Sequence, residues 1–541
     1  MRTARMREKV GLTSARWRGQ RRRSVAALVV GCALLAGPVA SALPAYAVPQ
    51  KSGTNTPAPD EPGAVPKGLE SFYSQEVSWY PCGDSGGIQK TDEQGKFSCA
   101  TVTVPMDYNN PDGKTIQVAV KKRAADGEPR GSLFINPGGP GGSGIGLVEA
   151  VGKSFSKDLL AGYDVVGFDP RGVGSSTPIT CQDAKPAEEA SAEQPQEESS
   201  FESWAQGYMD DVSKLEKQCR EHSEPGLLDH VGTALVARDL DVLRAVSGEK
   251  ILNYLGMSYG TELGYTYAEL FPHNTGRLVL DGAMDSTSTN HRLTVETAEG
   301  YEKALRRYVQ ACLEEKAGDN CPLTGSVEDG VQQIRDLITS ANASPLKTSD
   351  PDVKITGAQL TGAIRRYLSG GAWPQLTAAL APAIGQNDAS GFAEAVKQAS
   401  AGVSMAAWTA VMCQDRPAQG NMDAWKAQYE ETQKVAPTFA GGASFDMTCA
   451  AWGHYSKTDP IPQDVHAKGA APILVVGTAG DPATPYHWAQ ALARQLDSAQ
   501  LITWDGNAHV AYMRGNKCIT TAVDDFLLGG QLPQNNLTCT S

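Results

Sequence analysis

Three short segments carry side chains that chemistry could use. The first is Gly256-Met257-Ser258-Tyr259-Gly260, a G-x-S-x-G pentapeptide between an apolar run at 251–255 and a helix-patterned stretch at 259–270. A strand that reverses sharply into a helix forces its central residue into strained angles and brings backbone close to backbone, which glycine tolerates. Ser258 would then stand exposed at the C-terminal edge of a sheet, beside the first free amides of a helix. The second and third segments are GTAGDPATP, with Asp481, and WDGNAHVAY, with His509, each one short loop beyond a β-rich run. A serine hydroxyl is a weak nucleophile at neutral pH and needs a base held by a third group. Serine, acid and histidine in that chain order, each just beyond a strand, form one of the arrangements in which such a triad is assembled.

Attack on a carbonyl builds negative charge on oxygen, so such a site also needs preorganised donors. The loop NPGGPGGSG, residues 136–144, follows another β-rich run. Its Gly139 amide is the first-choice donor and that of Gly138 the next, with Tyr259 N–H as partner. A phosphate-cradling loop is the competing use of these glycines, but the sequence lacks the G-K-[ST] ending. Among other acids, Asp505 lies on the strand that leads to the histidine. Thr484 shares the turn of Asp481, and we expect it to cap the following helix.

The elements that must position these residues follow from pattern. Residues 98–108 and 115–123 alternate apolar and polar, as half-exposed antiparallel strands do. Short β-rich runs at 131–136, 163–169, 251–255, 277–281, 472–477 and 500–504 are mostly separated by helical stretches. That rhythm predicts an α/β fold with a mostly parallel sheet covered on both faces. One interval breaks it: residues 286–470 fall between the sixth and seventh core strands and look helical, near 297–312 and 359–368 above all. We expect a helical lid there, dividing the hydrolase core into 76–285 and 471–541. An acidic, Pro/Ser/Ala-rich stretch at 184–201 is expected to be a mobile surface insert.

Residues 1–47 combine a basic segment (RWRGQRRR), an apolar stretch at 25–36 and an Ala45-Tyr46-Ala47 cleavage signal, which together predict a secretory signal peptide. Arg22-Arg23 also permits a twin-arginine route. Residues 48–75 read as a flexible leader or propeptide. Losing the signal removes nine basic residues and one acid, taking the formal charge from −13 to about −21, which argues against nucleic acid or an anionic membrane as partner. Of 11 cysteines one leaves with the signal. An even number outside the cell predicts disulfides, and we expect bridges between sequence neighbours: Cys82–Cys99, Cys181–Cys219, Cys312–Cys321, Cys413–Cys449 and Cys518–Cys539. With no C-x-x-C, no H-E-x-x-H and no dense Cys/His cluster, no metal and no cofactor are expected. The expected state is a monomer.

Together NPGGPGGSG, GMSYGTELG, GDPATP and GNAHVAY resemble the secreted tripeptidyl aminopeptidases of Streptomyces and its relatives, over residues 79–539. They belong to the α/β-hydrolase peptidase group that also holds the proline iminopeptidases. The resemblance implies removal of tripeptides from free N-termini of peptides or proteins, with Ser258, Asp481 and His509 as triad and a lid that admits chain ends. Proline iminopeptidases carry a histidine before GGPG and usually a tryptophan after the nucleophile; Pro137 and Tyr259 stand there instead. An exopeptidase must hold the substrate's ammonium, most simply with a carboxylate desolvated by closure, and Asp415 in MCQDRP is the candidate. A carboxylesterase, a proline iminopeptidase-like enzyme and a catalytically inactive binding protein remain the alternatives on this fold.

Overall fold

In the computed structural model of the chain, residues 63–540 are described, apart from 86, 93, 182–199, 402, 442–443, 457–458 and 535. The signal peptide and nearly all of the acidic insert lie outside the described residues. Elements in chain order begin with α1 (Glu70–Tyr73), β1 (Tyr80–Pro81), β2 (Phe97–Pro105), β3 (Thr115–Arg123) and β4 (Ser132–Asn136). Next come α2 (Gly144–Ser154), α3 (Lys157–Gly162), β5 (Asp164–Phe168), α4 (Phe201–His222), α5 (Thr233–Val246), β6 (Leu252–Met257), α6 (Tyr259–Leu270) and β7 (Thr275–Asp281).

An insertion follows, built from α7 (Asn290–Leu313), α8 (Val327–Ala343), the small hairpin β8 (Leu346–Lys347) and β9 (Lys354–Ile355), α9 (Gly357–Gly370), α10 (Trp373–Gln386), α11 (Ala393–Ala401), α12 (Met405–Asp415), α13 (Met422–Val435) and α14 (Phe445–Trp452). The chain closes with β10 (Ile473–Thr478), α15 (Tyr486–Gln495), β11 (Ala499–Asp505), α16 (Lys517–Gly529) and β12 (Thr538–Thr540).

Ten strands form one sheet in the order β1-β2-β3-β5-β4-β6-β7-β10-β11-β12. Pairing is antiparallel from β1 to β5 and parallel from there to β12. The central strands β4 and β10 are buried along their whole length, and their side chains split by alternation. Phe134 and Val475 join one apolar cluster and Leu133, Ile135, Leu474 and Val476 the other, one cluster on each face. Every core strand expected from the sequence forms within two residues of its expected start; β1 and β12, at the two edges, are additions.

Two expectations change. Residues 63–75 belong to the packed body rather than to a flexible leader: Leu69 and Tyr73 are buried, Tyr73 Oη donates to Asp241 at 2.8 Å, and Gly63 N–H donates to Asn274 Oδ1 at 2.6 Å. The insertion, expected as one helical unit, has two halves. Helices α7 to α11 enclose a core of their own around Leu305, Tyr308, Ile334, Leu360 and Phe392, whereas α12 to α14 put Ala410, Met412, Trp425, Met447 and Trp452 into the main cluster. The five expected disulfides form, Cys82–Cys99, Cys181–Cys219, Cys312–Cys321, Cys413–Cys449 and Cys518–Cys539. Cys413–Cys449 joins α12 to α14. No helix among the described residues is long and apolar enough to cross a membrane.

Candidate active site

Strand β6 ends at Met257 and α6 starts at Tyr259, so Ser258 is the whole turn. Its φ of 56° and ψ of −127° lie where a residue with a side chain is strained, and such strain persists only where the surroundings impose it. Here they do: Ser258 N–H donates to Asp281 O at 2.9 Å, and a methyl on Gly256 would run into the Gly260 carbonyl. Tyr259 N–H is the first amide of α6 and has no partner inside the helix.

The glycine loop lies against this turn. A methyl on Gly138 would stand 2.5 Å from Met257 O and 3.0 Å from Tyr259 N, so only glycine lets the loop come this near. Gly138 N–H is already used, donating to Asn136 Oδ1 at 2.9 Å, which removes it as an oxyanion donor. No protein acceptor among the described residues takes the Gly139 N–H. Ser143 holds the far end of the loop: its Oγ caps α2 by accepting from Gly146 N–H at 3.0 Å and donates to Asp169 Oδ1 at 2.5 Å.

Asp481 and His509 meet beyond β10 and β11. His509 Nδ1 lies 3.0 Å from each Asp481 oxygen, and the carboxylate side chain is 1% exposed while the imidazole is 17% exposed. Asp481 is further held by Ala483 N–H and Thr484 N–H, both at 2.9 Å, and by Thr484 Oγ1 at 3.0 Å. The Thr484 hydroxyl also lies 3.2 Å from His509 Nδ1. It braces the acid instead of capping α15, whose N-cap is Pro485 with no side-chain bond. Asp505 ends β11 and points to solvent.

The Ser258 turn and the histidine share one seam. Asp281 O takes the Ser258 amide, and a methyl on the next residue, Gly282, would stand 3.3 Å from His509 Cε1 and from Thr484 Oγ1. Below the seam the Asp281 carboxylate accepts from Ala511 N–H at 3.0 Å and Tyr512 N–H at 2.7 Å. It thereby pins the loop that carries His509. Burial pushes this carboxyl up to about 6, against the pull of those amides.

Two family models match the chain, one described as TAP-like protein over residues 436–539 and one as alpha/beta hydrolase fold over 131–320. The chain is 34% identical over 489 residues to a Mycobacterium tuberculosis protein named serine protease Hip1, covering 87% of this chain and 92% of that one. It is 33% identical over 489 residues to a tripeptidyl aminopeptidase of Streptomyces lividans, covering 86% of each. A third relative, named carboxylesterase B, from Mycobacterium tuberculosis, is 34% identical over 552 residues, 97% of this chain and 99% of that one. The chain belongs to the tripeptidyl aminopeptidase-like α/β-hydrolases. It is a serine hydrolase of the peptidase group.

In this hydrolase Asp415 is not placed to meet a substrate amine. It is 2% exposed, and both its oxygens are taken, by Thr233 N–H at 2.7 Å and Thr233 Oγ1 at 2.6 Å. Burial, reinforced by the nearby Glu262 carboxylate, pushes it up to about 7. Thr233 Oγ1 also meets the Tyr259 hydroxyl, so Asp415 sits behind the nucleophile helix as a structural anchor. Beside it Arg416 forks onto Glu262, at 2.6 and 3.1 Å.

Sequence reasoning missed three contributors. Asp281 was legible only as the end of a strand. Ser369 and Arg307, on the insertion, reach the site through backbone: Ser369 O accepts from His509 N–H at 2.9 Å, and Arg307 Nη2 donates to Gly480 O at 2.9 Å. Contacts between residues this far apart in the chain leave no local signal.

Proposed function

We propose that this hydrolase is an exported serine exopeptidase that releases short peptides, chiefly tripeptides, from free N-termini. The observation that carries the chemistry is the commitment of His509 Nδ1 to the buried Asp481, beside the strained turn of Ser258. With Nδ1–H directed at the carboxylate, Nε2 is the nitrogen left to take the Ser258 proton. Ser258 Oγ then attacks the scissile carbonyl carbon, and the new oxyanion lies between the amides of Gly139 and Tyr259. His509 returns the proton to the departing amine as the tetrahedral intermediate collapses to an acyl-enzyme. Water, activated by the same imidazole, releases the peptide and restores Ser258.

Exopeptidase action is supported by the relative named tripeptidyl aminopeptidase and by an insertion that touches the loops of Gly480 and His509. Five disulfides and the N-terminal signal pattern support export. Ser258→Ala should fold as the wild type does and lose roughly 10⁴–10⁶ in kcat; retained activity removes the triad. Acetylating the N-terminus of a cleaved peptide should abolish cleavage, and mass spectrometry of the unblocked digest should show three-residue products. Equal cutting of blocked and free peptides refutes the exopeptidase reading. The relative named carboxylesterase B favours ester hydrolysis as the second reading, which predicts turnover of alkanoate esters by an enzyme inert to free peptides.

A further inference from the structure

A chamber of about 120 Å³ lies between α4, α7, α13 and α14. One wall is a cluster of rings, Phe201, Trp204 and Tyr429, with centroids 5.4 to 5.9 Å apart. Phe439 and Phe445 form the other. Three contacts tie these walls to the catalytic machinery. Thr297, in the lining, donates through Oγ1 to Ala483 O at 3.3 Å, two residues past Asp481. Phe445 packs on Trp408 at 5.2 Å, and Trp408 N lies 3.2 Å from where a Gly141 methyl would stand, which is the glycine loop. Phe439 packs on Tyr301 at 5.7 Å. Tyr301 Oη bonds Ser369 Oγ at 2.8 Å, and the Ser369 carbonyl takes the His509 amide.

The chamber walls are thus joined directly to the loop of the acid, through Trp408 to the glycine loop, and through Tyr301 and Ser369 to His509. We infer that it is the subsite for one bulky apolar side chain, aromatic or leucine-like, of the peptide that the enzyme releases; the inference rests on the exopeptidase reading. Size bounds the occupant, since a cavity of about 150 Å³ accepts one benzene ring and this one, at about 120 Å³, is of the same order. Charge narrows it further: the only charged side chain among the described lining residues is Arg365, whose guanidinium lies 5.1 and 5.3 Å from the Tyr301 and Phe439 rings. A lysine or arginine side chain would meet that cation at close range. Topology assigns the chamber to the acyl side. An enzyme that clips a short N-terminal piece must enclose that piece, while the remaining chain must leave to solvent, and a chamber of this size cannot pass a chain.

The test uses tripeptide p-nitroanilides in which Phe replaces Ala at each position in turn. The wild type should prefer Phe over Ala at one position by roughly 10- to 100-fold in kcat/KM, the scale on which an apolar pocket discriminates. Ala298→Phe, which fills the chamber from α7, should bring that ratio near one at that position and leave the ratios at the other two. Tyr429→Ala, at a half-exposed wall residue, should move the preference toward Trp, and it serves if Ala298→Phe does not fold. Ratios unchanged in both variants, a fall at all three positions, or a wild-type preference there for Lys, Arg or Glu overturns the assignment. If the wild type cleaves no free-N-terminal anilide, the exopeptidase reading itself fails. The chamber is then read with p-nitrophenyl 3-phenylpropionate against acetate: a ratio lowered by Ala298→Phe supports it, and an unchanged ratio overturns it.

Discussion

The two halves of the insertion hold the active site in different ways. Helices α12 to α14 are an extension of the hydrolase body: their apolar side chains enter the main cluster, Cys413–Cys449 locks two of them together, and Arg416 pairs with Glu262 on α6 in a pair less than 5% exposed. Helices α7 to α11 have a core of their own and grip the site through individual hydrogen bonds to the acid and histidine loops. The first half therefore shares the stability of the sheet. Helices α7 to α11 join the body by those hydrogen bonds and by apolar contact through Leu293 of α7, and with a core of their own they should unfold locally before the sheet does.

Four measurements break or sharpen this comparison. Glu262→Ala leaves Arg416 charged, buried and unpaired, which costs about 3–5 kcal/mol, and because the pair ties α12 to the main core the whole body should unfold earlier in urea. Glu262→Met combined with Arg416→Met should recover most of that loss; a loss confined to residues 290–400 would erase the distinction between the halves. Phe392→Ala, in the separate core, should cost about 3–4 kcal/mol of local stability. Hydrogen exchange should then quicken across α7 to α11 while the sheet amides keep their protection, and uniform quickening would show one cooperative unit.

Asp415 gives a smaller, pH-dependent effect. With its carboxyl raised from 3.8 to about 7 in the folded chain, the native state holds the proton more tightly than the unfolded state does. Its contribution is therefore intact below pH 4 and falls as pH rises toward 7, by up to about 1.4 kcal/mol per pH unit. Measured against Asp415→Asn by urea melts at pH 5 and 7.5, the wild type should lose stability relative to the variant at the higher pH; parallel behaviour would show that Asp415 does not titrate in this range. The smallest effect is expected for Arg514→Ala. Arg514 donates to His509 O at 2.8 Å and to Ser369 O at 3.3 Å from an exposed position, so its loss should cost less than about 1 kcal/mol. A two- to five-fold fall in kcat, ~1 kcal/mol in the barrier, should come without a change in the main urea midpoint.

The sheet, the strained turn at Ser258 and the Asp481–His509 pair were legible because each is written locally. A β-rich run, a glycine turn and a helical pattern are adjacent in sequence at Ser258, and Asp481 and His509 each follow a strand directly. What the sequence concealed depends on packing across long separations. Thr484 has the same neighbours whether it caps a helix or braces an acid, and only the position of His509 decides. Asp415 in MCQDRP reads as a carboxylate free to hold a substrate amine, until Thr233, 182 residues away, covers it. Residues 286–470 show one continuous helical texture, and their division follows from which apolar faces meet the sheet.

Because the His509 amide and the Gly480 carbonyl hang from α9 and α7, any outward movement of that half would also slacken the loops that carry His509 and Asp481. Access and competence are then opposed: a gap wide enough to admit the middle of a long polypeptide is one in which the imidazole has lost its bearings. On the exopeptidase reading proposed above, folded proteins that share the space with the enzyme would be spared by geometry, with no separate inhibitor required.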